Sequence, residues 1–230
     1  MPIDALLFDK DGTLFDFAAT WGSFGRAILM TLADGDEDRA VKLGTVIGFD
    51  LAEGRYEVDS VVIAQTVDEI ADVLLPHLPE YTHVQIVEVM NDASAASQQV
   101  PAVPLTAFLD GLRAAGLKLG VATNDAEVPA LEHLDSVGVR GHFDFVAGYD
   151  SGHGAKPGPG QLLAFARHVG IDPARIAMVG DSSHDLEAGR AAGMVTIGVL
   201  TGLAEEDALA PLADVVLPDI GHIPGWLSSR

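Results

Sequence analysis

The stretch "LLFDKDGTLF", residues 6–15, begins as an apolar run and ends in two aspartates, a glycine and a threonine. Side chains alternate along an extended strand, so we expect Asp9 and Asp11 to point one way and Lys10 the other. Gly12 allows a sharp turn directly after the strand. Two carboxylates in one cleft need a cation, or one of them must hold a proton. The stretch therefore predicts a reactive acidic pair, although an Asp-Gly turn with a capping aspartate would also fit it.

The composition favours a folded protein that avoids other anions. The chain has 230 residues, 48% of them hydrophobic, which suits one large domain or a core with a smaller insertion. It has no cysteine, which excludes disulfides, thiolate metal sites and cysteine nucleophiles. A net charge of -21 should repel nucleic acid and anionic membranes, so we expect neither as a partner.

The first residues lack the basic segment and apolar core of a signal peptide. No apolar run has the length that a bilayer requires. The expected location is therefore the cytoplasm.

Short apolar runs alternate with segments of helical periodicity, and this pattern is typical of a parallel sheet covered by helices on both faces. The predicted strands are residues 3–8, 118–122, 143–147, 175–179, 194–199 and 213–217. The predicted helices between them are residues 105–115, 127–137, 160–169 and 184–192. We therefore predict an α/β fold whose ligand lies beyond the carboxyl ends of the strands.

Residues 17–93 interrupt this alternation with helical patterns and no clear strand. They predict a small helical domain inserted after the first strand, with hinges near residues 15–18 and 93–99. The remaining residues, 1–16 and 94–230, would form the α/β core. Between the predicted helices, the glycine-rich residues 44–56 are expected to form a loop that closes over the site.

Three further strand ends carry polar groups. Thr123 and Asn124 follow one strand and offer a hydroxyl, an amide and backbone N–H groups to an anion. Lys156, the only lysine after residue 118, lies in a Pro/Gly-rich loop and could hold a phosphate oxygen. Asp181 follows another strand, and Asp185 lies four residues later on the same face of a predicted helix. Oxygen ligands of this kind suit Mg²⁺.

Each of these ends, taken alone, is better explained as a helix cap or a solvated loop residue. In a parallel sheet, however, all four open at the same edge. Their convergence on one crevice favours a functional site.

Taken together, the four motifs resemble those of the haloacid dehalogenase superfamily in its phosphatase branch. Asp9-Lys10-Asp11-Gly12-Thr13 is similar to the first motif, Thr123 to the second, Lys156-Pro157 to the third and residues 180–185 to the fourth. The helical insertion resembles the small cap of members like phosphoglycolate phosphatase. The resemblance implies a Rossmann-like core and Mg²⁺-dependent hydrolysis of a small phosphorylated metabolite.

The resemblance also implies a role for each motif residue. Asp9 would be the nucleophile that becomes phosphorylated, and Asp11 the general acid and base. Mg²⁺ would be held by Asp9, the Asp11 carbonyl, Asp181 and Asp185. The transferring phosphoryl group would be bound by Gly12, Thr123, Asn124 and Lys156.

Some interpretations stay open. The same core residues would serve a phosphomutase related to β-phosphoglucomutase, or a non-catalytic binding module on this fold. The sequence does not distinguish a monomer from a homodimer. Arg55 is a candidate for binding a second anionic group, with phosphoglycolate as the first substrate to test, although a surface arginine fits equally well. Lys10 is expected to face away from the site, and Asp125 to cap the following helix.

Overall fold

The structure, a computed structural model, describes residues 2–57, 60–63 and 65–229. Its strands are β1 (Ala5–Phe8), β2 (Phe49–Asp50), β3 (Arg55–Tyr56), β4 (Lys118–Ala122), β5 (Phe145–Ala147), β6 (Ile176–Gly180), β7 (Val195–Val199) and β8 (Val215–Leu217). Its α-helices are α1 (Phe17–Leu32), α2 (Glu37–Ile47), α3 (Val67–Leu74), α4 (His83–Ala95), α5 (Leu105–Ala114), α6 (Glu127–Ser136), α7 (Gly160–Val169), α8 (Ser183–Ala192), α9 (Glu206–Leu209) and α10 (Ile223–Ser228). Within the described residues, no helix combines the length and the apolarity that crossing a membrane requires.

Six strands form one parallel sheet in the order β5-β4-β1-β6-β7-β8. All six correspond to predicted strands, so the predicted α/β fold is confirmed. In chain order, β4 and β5 lie on one side of β1, and β6 then lies on its other side. Ligands of open α/β sheets bind where the strand order reverses in this way. The carboxyl end of β1, where Asp9 follows Phe8, lies at that point.

Alternating side chains of the central strand reach two different apolar clusters. Leu6 and Phe8 belong to the cluster that α5 covers, with Leu105 and Leu109. Ala5 and Leu7 belong to the cluster on the opposite face, which includes Phe165 of α7. Because both faces of β1 are buried, the strand reads as a continuous apolar run.

Helices α1–α4 and the β2–β3 hairpin, residues 17–95, form what we call the helical block. It has its own apolar cluster, to which α1, α2, α3 and α4 all contribute. The predicted division into a core of residues 1–16 and 94–230 and a cap of residues 17–93 stays a prediction.

Within the helical block, the expectation of a loop over residues 44–56 was wrong. Helix α2 runs to Ile47 and ends at Gly48, which has a positive φ of 70°. The antiparallel pair β2–β3 follows at once, with Phe49 opposite Tyr56. Residues Ala40, Leu43, Gly44 and Ile47 bury one face of α2, so packing against the neighbouring helices extends the helix through the glycine.

Candidate active site

The four polar strand ends converge as predicted from the parallel sheet. Asp9 follows β1, Thr123 follows β4 and Asp181 follows β6, and these three strands are direct neighbours. Lys156 reaches the same place from the loop before α7. Asp9, Asp11, Thr123 and Lys156 line one cavity, whose opposite wall comes from the helical block.

The buried Lys156 ammonium joins two carboxylates of this group. Its Nζ lies 2.7 Å from an Asp9 oxygen and 2.6 Å from Asp185 Oδ1. Burial alone would lower the pKa of Lys156, but the two carboxylates more than compensate and raise it. Lys156 is therefore a permanent cation beside Asp9.

A third carboxylate, that of Asp181, lies beside this pair of acids. Oxygens of Asp9, Asp181 and Asp185 lie within 4.8 Å of one another, and all three residues are buried. Burial raises the pKa of Asp9 to about 7, against the opposing effect of Lys156, and the charges of Asp185 and Asp11 add to the rise. Burial, followed by the charges of Asp185 and Asp9, also raises the pKa of Asp181 well above its usual value.

This donor set fits a divalent metal ion. Excess negative charge on clustered, buried carboxylate oxygens is what a hard cation neutralises. Asp181 makes a long contact with the Thr13 hydroxyl, at 3.4 Å, and the nearby ammonium of Lys156 is already shared between Asp9 and Asp185. The backbone also encloses Asp181, because a Cβ atom at either Gly12 or Gly202 would collide with its carboxylate.

Asp185 is more constrained than the other two acids. Its Oδ1 accepts from Lys156, and its Oδ2 accepts from the backbone N–H and the hydroxyl of Ser182, at 3.1 and 2.7 Å. Both oxygens are thus engaged in fixing the start of α8 and the Lys156 ammonium. Asp185 is therefore part of the acidic cluster, although both of its oxygens already accept hydrogen bonds from protein groups.

The second strand end fixes the Lys156 loop. The Asn124 side chain donates to the Lys156 carbonyl and accepts from the Lys156 N–H, both at 2.9 Å. The buried Thr123 hydroxyl accepts from the Asp125 N–H at 3.1 Å. The hydroxyl proton takes no part in this bond. The four motifs are therefore connected by direct hydrogen bonds.

Lys10 does not behave as expected. It is fully buried, and its Nζ lies 2.7 Å from Asp11 Oδ2 and 3.3 Å from Asp125 Oδ2. Lys10 follows Leu6 and Phe8 in the alternation of side chains, so it starts on the face of the sheet that α6 covers. Its side chain is long enough, however, for the ammonium to contact Asp11. The expectation that Lys10 faces away from the site was therefore wrong.

His133 of α6 completes the environment of Lys10. Its Nδ1 lies 3.0 Å from the ammonium, and its Nε2 lies 2.6 Å from the Ser94 carbonyl. Burial, and then the charge of Lys10, lower the pKa of His133. The imidazole is therefore neutral, with Nδ1 accepting from Lys10 and Nε2–H donating to Ser94.

The expectation that Asp125 caps the next helix was also wrong. Helix α6 begins at Glu127 after Ala126, with no side-chain cap. Asp125 instead accepts from the Ala126 N–H and the Ser94 hydroxyl, and pairs with Lys10. A lysine two residues after the end of an apolar strand was the sequence signal that a buried counterion should exist.

Trp21 was missed by the sequence analysis. Its indole N–H donates to Asp11 Oδ1 at 2.9 Å. Burial alone would raise the pKa of Asp11, but the charge of Lys10 and the hydrogen bonds from Lys10 and Trp21 lower it. A tryptophan five residues into a helix carries no local signal of such a contact, because the contact depends on how α1 packs over β1.

Arg55 is the one predicted site residue that the structure does not bring to the others. It lies in β3 with an exposed side chain, and it is absent from the described lining of the cavity. Its role in binding a second anionic group stays a prediction.

Comparison with known proteins decides the family. The family model of haloacid dehalogenase-like hydrolases matches residues 3–193. The chain belongs to the haloacid dehalogenase-like hydrolase family. The phosphoglycolate phosphatase of Neisseria meningitidis is 31% identical to it over 224 residues, 96% of this chain and 91% of the relative.

Solved structures share the architecture of this family member. A predicted phosphoglycolate phosphatase from Haemophilus somnus superposes with a TM-score of 0.75 at 19% identity, covering 97% of both chains. A putative β-phosphoglucomutase from Thermotoga maritima gives a TM-score of 0.69 at 21% identity, covering 99% of both chains. At these identities, the two structures support the fold and do not distinguish between activities.

The Lys10 network in this hydrolase gives a testable prediction about stability. Replacing Lys10 with Met leaves the buried Asp11 and Asp125 carboxylates without their shared cation. We expect the free energy of unfolding at neutral pH to fall by about 3 kcal/mol or more, measured by urea denaturation.

The exposed Lys42 provides the control for this substitution. Lys42→Met removes the same charge from the surface of α2 and should change stability by less than about 0.5 kcal/mol. Adding Asp125→Asn to Lys10→Met should recover part of the loss. Equal stability of the two single variants would contradict the interpretation.

Proposed function

We propose that this protein is a magnesium-dependent phosphatase that hydrolyses a small phosphate monoester through a phosphorylated Asp9. Its membership in the haloacid dehalogenase-like hydrolase family and its similarity to phosphatases support the coarser activity, a phosphoric monoester hydrolase. The observation that carries the finer proposal is the pairing of two aspartates, two residues apart, with two different buried ammonium groups.

These two ammonium groups give Asp9 and Asp11 different environments. Asp9 contacts Lys156 within the acidic cluster, and Asp11 contacts Lys10 and Trp21 outside it. When two neighbouring acids have opposite pKa shifts, they are suited to different steps of one reaction. In this proposal, Asp9 would attack phosphorus, and Asp11 would exchange a proton with the leaving group.

In the first step, an Asp9 carboxylate oxygen attacks phosphorus, and the bond from phosphorus to the alcohol oxygen breaks. Asp11 is ionised before substrate binds, but a nearby phosphate dianion raises its pKa and favours uptake of a proton from solvent. Asp11 then gives this proton to the departing alcohol oxygen. The products of the step are the free alcohol and phosphorylated Asp9.

In the second step, Asp11 takes a proton from a water molecule as that water attacks phosphorus. The bond from phosphorus to Asp9 breaks, which restores the carboxylate and releases inorganic phosphate. Lys156 would stay beside Asp9 throughout and offset its charge, while the Thr123 hydroxyl and the Asn124 backbone would hold the phosphoryl oxygens.

The metal ion in this proposal is Mg²⁺. Asp9, Asp181 and the Asp11 carbonyl would bind it, with Asp185 acting directly or through a water molecule. When bound, Mg²⁺ would supply the positive charge that lets a phosphate dianion approach clustered carboxylates.

Asp9→Asn tests the nucleophile. We expect this variant to lose at least about 10³-fold in kcat with 4-nitrophenyl phosphate and Mg²⁺, because an amide oxygen cannot form the covalent intermediate. Circular dichroism should show unchanged folding. A folded variant that keeps its activity would contradict the nucleophilic role.

Product analysis completes this test. Inorganic phosphate should appear in equal amount to the released alcohol. If the phosphoryl group is instead transferred to an added sugar phosphate and little inorganic phosphate is released, the protein is a phosphomutase. If the wild-type protein turns over no phosphate monoester, the proposed hydrolase activity is wrong.

The raised pKa values of the acidic cluster predict the pH dependence of Mg²⁺ binding. Asp9, with a pKa of about 7, must lose a proton before it binds a cation, and so must Asp181. The affinity for Mg²⁺ should therefore decrease as pH falls below about 7, by about tenfold per pH unit for each proton displaced.

Isothermal titration calorimetry in buffers of different ionisation enthalpy measures both the affinity and the protons released. Asp9→Asn removes one of the titrating ligands, so it should bind Mg²⁺ more weakly and with a shallower pH dependence. Affinity that does not change between pH 6 and pH 8 would contradict this assignment.

A further inference from the structure

The wall of the active-site cavity differs in chemistry from its floor. The floor is formed by the polar strand ends, including Asp9, Thr123 and Lys156. The wall comes from the helical block and is mainly aromatic and aliphatic. Its members include Trp21, Phe24, Val62, Ile63, Ile70 and Met90.

The aromatic part of this wall is ordered by ring contacts. Trp21 lies nearly parallel to Phe17, with centroids 6.1 Å apart, and meets Phe24 edge-on at 4.4 Å. The Trp21 indole N–H is also fixed by Asp11. The wall therefore presents an ordered apolar surface to the alcohol part of a bound phosphate ester.

The described lining residues include no lysine or arginine that is free to pair with a second anionic group. Lys156 is their one lysine, and it already contacts two carboxylates. No arginine is among these lining residues. Lys10 is buried outside the cavity and is held by Asp11 and Asp125. Against the wall itself, an anionic leaving group would lose its hydration and gain no charged partner. The one histidine among the described lining residues, His184, belongs to α8 on the floor.

The wall does hold one unused polar atom. The side-chain oxygen of Gln65 is buried and has no hydrogen-bond partner, and Gln65 lines the cavity. A buried acceptor without a partner is unfavourable unless a ligand supplies a donor. A hydroxyl or N–H group would satisfy this oxygen, which a carboxylate cannot do because it has no proton to donate.

From this wall, we propose that the substrate is a phosphate monoester of an uncharged alcohol with an apolar, preferably aromatic, body and a hydrogen-bond donor that reaches Gln65. This inference rests on the proposed phosphatase activity and specifies its substrate class. It makes phosphoglycolate, which has a second anionic group, a poor substrate.

Three esters on one scaffold test the inference without any variant. They are the phosphates of benzyl alcohol carrying a para hydroxymethyl, methyl or carboxylate group, compared with phosphoglycolate. The hydroxymethyl ester should have a kcat/KM at least about tenfold above those of the carboxylate ester and phosphoglycolate. It should also exceed the methyl ester, since only the hydroxymethyl group can donate to Gln65.

Two variants locate the effect in the wall. Ile63→Arg adds a cation to the cavity, so it should raise kcat/KM for the carboxylate ester and lower it for the methyl ester. Val84→Arg adds the same charge at an exposed position of α4 and should change neither. Gln65→Leu should remove the advantage of the hydroxymethyl over the methyl ester, through KM more than kcat.

The outcomes separate this inference from the activity on which it rests. If 4-nitrophenyl phosphate is hydrolysed but the carboxylate ester or phosphoglycolate is preferred, the substrate class is wrong and the phosphatase stands. An increase of KM for phosphoglycolate in Arg55→Ala would then assign that preference to β3. If no ester is hydrolysed with Mg²⁺ present, both the activity and the substrate class are wrong.

Discussion

Mutual repulsion among buried carboxylates is the constraint on which this site depends. Two unit charges about 4 Å apart interact by about 4 kcal/mol at an effective dielectric constant of about 20, and Asp9, Asp181 and Asp185 place their oxygens within 4.8 Å of one another. Lys156 offsets part of this repulsion by bridging two of the three acids. Burial, and then the repulsion that remains, raise the pKa values of Asp9 and Asp181.

A second lysine makes the two aspartates that follow β1 chemically different. Lys10 brings a permanent charge to Asp11, and Asp125 and His133 hold the ammonium in place. The neutral imidazole of His133 also contacts the Ser94 carbonyl near the end of α4. The environment of the proposed acid and base is therefore built jointly by the sheet, helix α6 and the helical block.

In our proposal, the floor of the cavity carries out the reaction and its wall selects the substrate. The fold is shared with solved structures named as a predicted phosphoglycolate phosphatase and as a putative β-phosphoglucomutase, and fold alone does not fix the substrate. We therefore propose that substrate choice depends on side chains of α1, α3 and α4 and on Val62, Ile63 and Gln65, which line the cavity opposite Asp9.

Residue patterns alone were enough to predict the parallel sheet, the order of its helices and the convergence of Asp9, Thr123, Lys156 and Asp181. These features depend on local periodicity and on the rule that parallel strands end at one edge. Residue patterns did not predict the partners of Lys10, the contact of Trp21 with Asp11 or the exposed position of Arg55. Such contacts join residues far apart in the chain, so they depend on how the helices pack over the sheet, and no local pattern of residues encodes that packing.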